Sequence, residues 1–135
     1  MSEKNVIRAI KGVAWQGYKI RQRKAIPITL GEQQMRYIPD VTLEVEGKPH
    51  IIIEVEGLDK VRKVLSAEIV LSGLAGARHF IGIAKDRRTA DYIRRYGTIL
   101  TGRVKEIEGM KVSSVFVGNK EEVDWLYNLL KTPLQ

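Results

Sequence analysis

The stretch Arg36-Tyr-Ile-Pro-Asp-Val-Thr-Leu-Glu-Val-Glu-Gly-Lys-Pro-His-Ile-Ile-Ile-Glu-Val-Glu-Gly57 decides how this chain is read. Two apolar-rich runs, 37–45 and 50–56, flank Glu46-Gly47-Lys48-Pro49, which predicts an antiparallel hairpin. Pairing about Gly47 places Asp40 opposite Glu54. Directly opposed residues share a face, with Cβ atoms about 4.5–5.5 Å apart. Glu56, two positions further along, falls on the face of Glu54. Three carboxylates then converge on one patch of a sheet. Like charges this close repel, so the patch calls for a cation, a proton or a basic neighbour. A divalent metal with oxygen ligands is the most economical answer. The acids could instead be the wet face of an amphipathic strand or members of structural ion pairs. Against the first, Ile51-Ile52-Ile53 precede them without alternation, which predicts that both faces are covered; buried acids need partners.

Working outward, Ser2-Glu3 reads as a helix start, with Val6, Ile7, Ile10, Val13 and Ala14 at helical spacing and Gly17 as the stop. Residues 18–29 read as an irregular or edge strand, since Pro27 argues against a central position, and 31–34 as a turn. After Gly57 the period changes to 3.6. Leu58, Val61, Val64, Leu65, Ile69 and Leu71 predict a long helix ending near Gly73 or Gly76. His79-Phe-Ile-Gly-Ile-Ala84 suits a strand buried on both faces. Asp86 is placed to cap a helix carrying Ala90, Ile93 and Tyr96 and closed by Gly97. Residues 98–108 and 111–117 read as two strands about Gly109. Asn119 caps a last helix with Val123, Trp125, Leu126, Leu129 and Leu130, its first turn favoured by Glu121 and Glu122. A hairpin followed by a helical crossover into a buried strand implies an α/β sandwich, a mixed sheet with helices on both faces. No linker or repeat interrupts 1–135, so one domain is expected.

The 135 residues contain no cysteine, which excludes disulfides and thiolate-bound zinc. No apolar stretch has the length of a membrane span or a secretion signal, so a cytoplasmic, intracellular protein is expected. Lys and Arg number 23 against 16 Asp and Glu, a net charge of +7 that attracts polyanions, most plausibly nucleic acid. The basic residues cluster as Arg21-Arg23-Lys24, Lys60-Arg62-Lys63, Lys85-Arg87-Arg88 and Arg94-Arg95. Such clusters are usually solvated surface. Here Lys60, Arg62 and Lys63 open the helix after the acidic strand, and Lys85, Arg87 and Arg88 follow the buried strand, so both sets are candidates for phosphate contact. His50 and His79 lack metal-ligand spacing and read as structural. Trp15, Tyr18, Trp125 and Tyr127 read as packing or subunit contacts. The apolar last helix suits a homodimer interface.

The order helix–strand–strand–strand–helix–strand, with Pro39-Asp40 opening the second strand and Glu54-Val55-Glu56 in the third, resembles the PD-(D/E)xK nuclease superfamily over roughly residues 2–97. The resemblance implies a restriction endonuclease-like fold and Mg²⁺-dependent (or Mn²⁺-dependent) endonucleolytic hydrolysis of DNA, duplex or branched. It makes Asp40 and Glu54 the metal ligands, with the Val55 carbonyl as a third. The chain departs from the pattern at Glu56, where most members carry lysine. Glu56 is then a general base or second-metal ligand, or Lys60 or Lys63 of the next helix supplies the missing cation. An acid on the first helix, found in some members, has only Glu3 to match it here. The rival reading is a catalytically silent nuclease-like module that binds nucleic acid or protein.

Overall fold

The computed structural model describes residues 10, 17–56 and 58–131, with no account of the side chains of 58–64, 129 and 131. The elements in chain order are strands β1 (Lys19–Gln22), β2 (Ile26–Leu30), β3 (Gln33–Tyr37), β4 (Val41–Val45) and β5 (Lys48–Glu56), helix α1 (Leu58–Leu74), β6 (His79–Ala84), α2 (Arg87–Arg103), a 3₁₀ turn (Lys105–Ile107), β7 (Lys111–Phe116) and α3 (Lys120–Lys131). Five strands form one mixed sheet in the order β1-β4-β5-β6-β7, and β2 and β3 form a separate two-stranded sheet. The β1-β4-β5 half is antiparallel and the β5-β6-β7 half parallel. Both parallel connections run through a helix, as parallel pairing demands.

The central hairpin forms in the expected register, with Val41 opposite Ile53, Thr42 opposite Ile52 and Leu43 opposite Ile51. Its turn is tighter than the four residues expected. Glu46 and Gly47 both take positive φ, 53° and 77°, the two-residue turn that matches strand twist. A register shift between Leu43 and Glu44 absorbs the difference.

Side chains of β5 alternate between two cores. Ile51, Ile53 and Val55 join Val41, Leu43, Ile81, Ile83 and Val115 on one face, where Ile10 and the α3 residues Leu126 and Leu130 cover them. Ile52 joins Phe80 and Ala84 on the other face, under Leu65 and Ile69 of α1, Ala90 and Ile93 of α2, and Ile26, Ile28 and Tyr37 of the β2–β3 ribbon. Each fully buried isoleucine or leucine contributes about 1.5–3 kcal/mol from burial. Helices therefore do cover both faces, and β6 is buried along its whole length as its apolar run predicts.

Several expectations need correction. The turn read over 31–34 shrinks to 31–32 because β3 begins at Gln33, and the run 37–45 is split between β3, ending at Tyr37, and β4, beginning at Val41. Residues 18–29 contain two strands, β1 at the sheet edge and β2 in the separate ribbon, where Pro27 is tolerated in a two-stranded pair. Gly97 does not end α2, which runs on to Arg103. A Cβ at Gly97 would lie 2.3 Å from Val112 Cγ1, so this glycine lets the helix lie close against β7. Residues 98–108 are accordingly not a strand: Tyr96, Leu100 and Val104 pack onto the core and carry the helical period through a β-branched sequence. Asp86 caps α2 as expected, its Oδ1 accepting the Thr89 amide at 2.7 Å, and the Asn119 side chain accepts from the Glu121 amide at 2.9 Å. The first helix expected over 2–17, with Glu3 and Trp15, lies outside the described residues except for helical Ile10 and the turn at Gly17. Among the described residues, no helix is long and apolar enough to cross a membrane.

Candidate metal centre

Glu54 and Glu56 close β5 on the face that α1 covers, and both are buried, at 7% and 1% exposure. Period-two alternation puts them there with Ile52. From α1, Glu68 reaches the same spot: it lies one turn beyond Leu65 and beside Ile69, on the helix face that packs against the sheet. Carboxylate oxygens of Glu54, Glu56 and Glu68 lie within 4.8 Å of one another. One Glu68 oxygen, Oε2, is buried with no hydrogen-bond partner.

Asp40 stands beside this group, in the residue preceding β4. Its backbone N–H donates to Glu54 Oε1 at 2.6 Å, and its own Oδ2 accepts the Val55 amide at 2.8 Å. The hairpin thus joins Asp40 to Glu54 as the register predicts, through reciprocal side-chain-to-backbone bonds rather than two facing carboxylates. Arg23 Nη2 lies 3.3 Å from Asp40 Oδ1.

Burial is the first cause of the unusual protonation here. It raises Glu54 to about 7, with the charges of Asp40 and Glu56 adding to it, against hydrogen bonds from Glu68 and the Asp40 amide. Glu68 is raised far above the carboxylate range by burial, then by hydrogen bonds to Glu56 and Glu54 that require its proton, then by their charges. Tyr37 is raised by burial and by Glu54, so its phenol stays neutral. Its hydroxyl lies 3.3 Å from Ser72 Oγ, which donates its own proton to the Glu68 carbonyl at 2.6 Å. Tyr37 is therefore the donor to Ser72. This chain ties the turn of α1 that carries Glu68 to the β2–β3 ribbon.

The donor set is oxygen only, which suits Mg²⁺, Mn²⁺ or Ca²⁺ rather than a softer metal. A partnerless buried oxygen and three crowded carboxyls are the features that a divalent cation would complete, so the residues present fit such an ion. The residue that sequence reasoning missed is Glu68. Its signal was an acid on the apolar stripe of α1, between Leu65 and Ser72.

The basic candidates divide. Lys85 is exposed directly after β6, at the sheet end where Glu56 pairs with Ala84, the end at which open α/β sheets bind ligands. Arg87 and Arg88 begin α2 there, and together with Arg94 and Arg95 they line a shallow groove. Arg87 pairs with Glu122 at 3.4 Å and lies 5.8 Å over the Phe116 ring. Arg94 pairs with Glu122 and Asp91, both at 3.6 Å, and donates to Ser114 at 2.7 Å. Arg88 and Arg95 project to solvent. The side chains of Lys60, Arg62 and Lys63 lie outside the described residues; their backbone belongs to the first turns of α1. His50 and His79 meet across adjacent strands with ring centroids 5.6 Å apart, and Tyr18 stacks on His50 at 6.1 Å. Compared with known proteins, the chain matches no family model, no curated protein and no solved structure.

Proposed function

We propose that this protein is a divalent-metal-dependent nuclease, an endonuclease hydrolysing phosphodiester bonds of DNA. One observation carries the reading: three glutamates, two of them buried, crowd their oxygens within 4.8 Å in a chain of net charge +7. Burying such acids without a counter-charge or a proton is costly, and perturbed carboxyls of this kind concentrate at functional sites. Mg²⁺ or Mn²⁺ bound there supplies charge stabilisation at the phosphate and lowers the pKa of a coordinated water. Glu54 and Glu56 hold the ion from the end of β5, Glu68 closes the site from α1, and Asp40 fixes Glu54 through its amide. Glu56, standing where the resembling family has lysine, accepts the proton of the attacking water or holds a second ion. The α2 cations Arg88 and Arg95 track the phosphate backbone, with Lys85 at the sheet end. A homodimer, with α3 and its half-exposed Trp125 at the interface, suits cleavage of both strands of a duplex.

The substitution at Glu56 favours a second reading, a catalytically silent module that binds nucleic acid or protein. The two are separated by incubating purified protein with labelled linear, branched and single-stranded DNA, with and without Mg²⁺. Glu54→Ala is expected to lose metal-dependent cleavage while keeping the wild-type circular dichroism spectrum. Full cleavage by the Glu54 variant would falsify the assignment, and a wild type that binds DNA but cleaves none in Mg²⁺ or Mn²⁺ establishes the silent module.

A further inference from the structure

The β2–β3 ribbon stands apart from the five-stranded sheet and presents two unlike faces. Opposed residues share a face, so Ile26, Ile28 and Tyr37 form the buried one, which rests on the α1 and α2 core. The other face carries Pro27 with Arg36 and Thr29 with Gln34, and all four are exposed. Among the described residues, the side chains of Thr29, Gln34 and Arg36 make no hydrogen bond or ion pair. Three free polar side chains thus stand together on a two-stranded support. The foot of the ribbon is fastened to the carboxylate cluster. Tyr37 hydrogen-bonds Ser72, which donates to the Glu68 carbonyl, and the amide of Asp40, just beyond β3, donates to Glu54. At about 3.4 Å per residue, Gln34 lies about 10 Å along β3 from Tyr37, the length of about three base pairs.

We propose that this ribbon reads DNA sequence: its outer face enters the major groove beside the carboxylate cluster, where Gln34 and Arg36 contact base edges. The major groove is about 12 Å wide and admits a two-stranded ribbon. A glutamine amide matches adenine N6 and N7, an arginine fork matches guanine O6 and N7, and the Thr29 methyl suits the thymine methyl. Gln34 and Arg36 are next neighbours on one face of β3, about 6.8 Å apart, so they address bases about two steps apart. Nucleic acid suits this face better than an added protein strand does. Pro27 blunts the β2 edge against further pairing, and the chain carries a net charge of +7. Phosphate contact is left to the α2 cations, which divides affinity from selectivity.

This inference rests on the proposed DNA substrate, and the experiment separates the two. Duplexes bound in Ca²⁺ by wild type, Gln34→Ala, Gln34→Glu and Arg36→Ala are selected from a randomised pool and sequenced. Cleavage of the same pool in Mg²⁺ is followed alongside. Wild type is expected to enrich a short motif with adenine and guanine about two steps apart. Gln34→Ala should relax the adenine preference about tenfold and leave the salt slope of binding unchanged. Gln34→Glu should exchange adenine for cytosine, which a role in folding does not produce. Arg36→Ala should relax the guanine position alone. Both side chains are exposed, so all three variants should melt with wild type. Wild type that binds duplexes without enrichment overturns the proposal. So do variants that keep the wild-type motif, which would leave this face to a protein partner. An Arg36→Ala that weakens all sequences equally, with the log–log salt slope lowered by about one, also overturns it by marking a phosphate contact. Enrichment without cleavage supports the ribbon as the reader of a silent module and removes the nuclease reading. A wild type that binds no duplex removes both.

Discussion

Buried glutamates at opposite ends of one hairpin are handled in opposite ways. Near the turn, Glu44 is 3% exposed, with Arg21 Nε 3.1 Å from one oxygen and Lys24 Nζ 2.9 Å from the other. Burial on its own would raise its pKa, but hydrogen bonds from Lys24 and Arg21 outweigh that and hold it below the ordinary range. At the far end of β5, Glu54, Glu56 and Glu68 meet around a proton instead. Among the described residues, neither Glu54 nor Glu68 has an ion pair, and their pKa values move up. The contrast is informative because the chain does not lack basic residues. β1, alongside β4, and the turn after it deliver two cations to Glu44. The cluster under α1 is left costly to ionise.

The strongest way to break this comparison is pH. Glu54 is raised in the folded state, so between about pH 4.5, its value when unfolded, and about 7 the folded chain holds a proton that the unfolded chain has lost. Stability therefore falls as pH rises through that window, by about 3 kcal/mol from this group alone, and Glu68 extends the loss upward. The double variant Glu54→Gln/Glu68→Gln removes the ionisation. It should be about 3 kcal/mol more stable than wild type at pH 8 without metal, and should show no Mn²⁺ binding. On the proposed reading Mg²⁺ would take the place of the protons in wild type, so its stabilising effect should grow with pH. Denaturant melts at pH 5 and pH 8 with and without Mg²⁺ check this. A wild type that becomes more stable from pH 5 to pH 8 without metal sinks the account of the cluster.

The two sets were not equally legible in the sequence. Asp40, Glu54 and Glu56 could be placed because strand alternation and pairing about Gly47 are local rules, and Val41 does face Ile53 as they require. Glu68 was not, because a lone acid on a helical stripe looks like any surface glutamate until the partner strand is known. The Glu44 pairs escaped for a related reason. They depend on 18–24 forming an edge strand against β4, and that segment has neither clean alternation nor a turn signal of its own. The region 98–108 misled for the opposite reason. Thr98, Ile99 and Thr101 favour strand, but tertiary packing of Tyr96, Leu100 and Val104 decides for helix. The ribbon β2–β3 was hidden by Pro27, which excludes a central strand but permits a two-stranded one.

Breaking the satisfied half should cost less. Arg21→Met/Lys24→Met strands Glu44 in the core; losing a buried partner costs about 3–5 kcal/mol, but both cations here are more than a third exposed. With that screening the expected loss at pH 7 is about 1–2 kcal/mol by denaturant melts. Its pH dependence runs against that of the cluster. Glu44 is lowered in the folded state, so the stability it contributes is present above its unfolded value and is lost as pH falls below it. The double variant should therefore converge on wild type toward pH 3. A loss that persists at that pH would mean that the methylene stems, and not the charges, hold β1 to β4.

Salt gives the smallest and most discriminating difference. Charges exposed like Arg21 and Lys24 are screened within about 3 Å at 1 M ionic strength. Raising NaCl from low to molar concentration should shrink the stability gap between wild type and Glu44→Gln by about 0.5 kcal/mol. The corresponding gap for Glu68→Gln should stay fixed at constant pH, because a protonated Glu68 carries no charge for ions to screen. Equal salt responses from the two variants would show that the cluster is paired with a cation after all, and the distinction between an acid neutralised for folding and acids kept for a ligand would fail at its physical root.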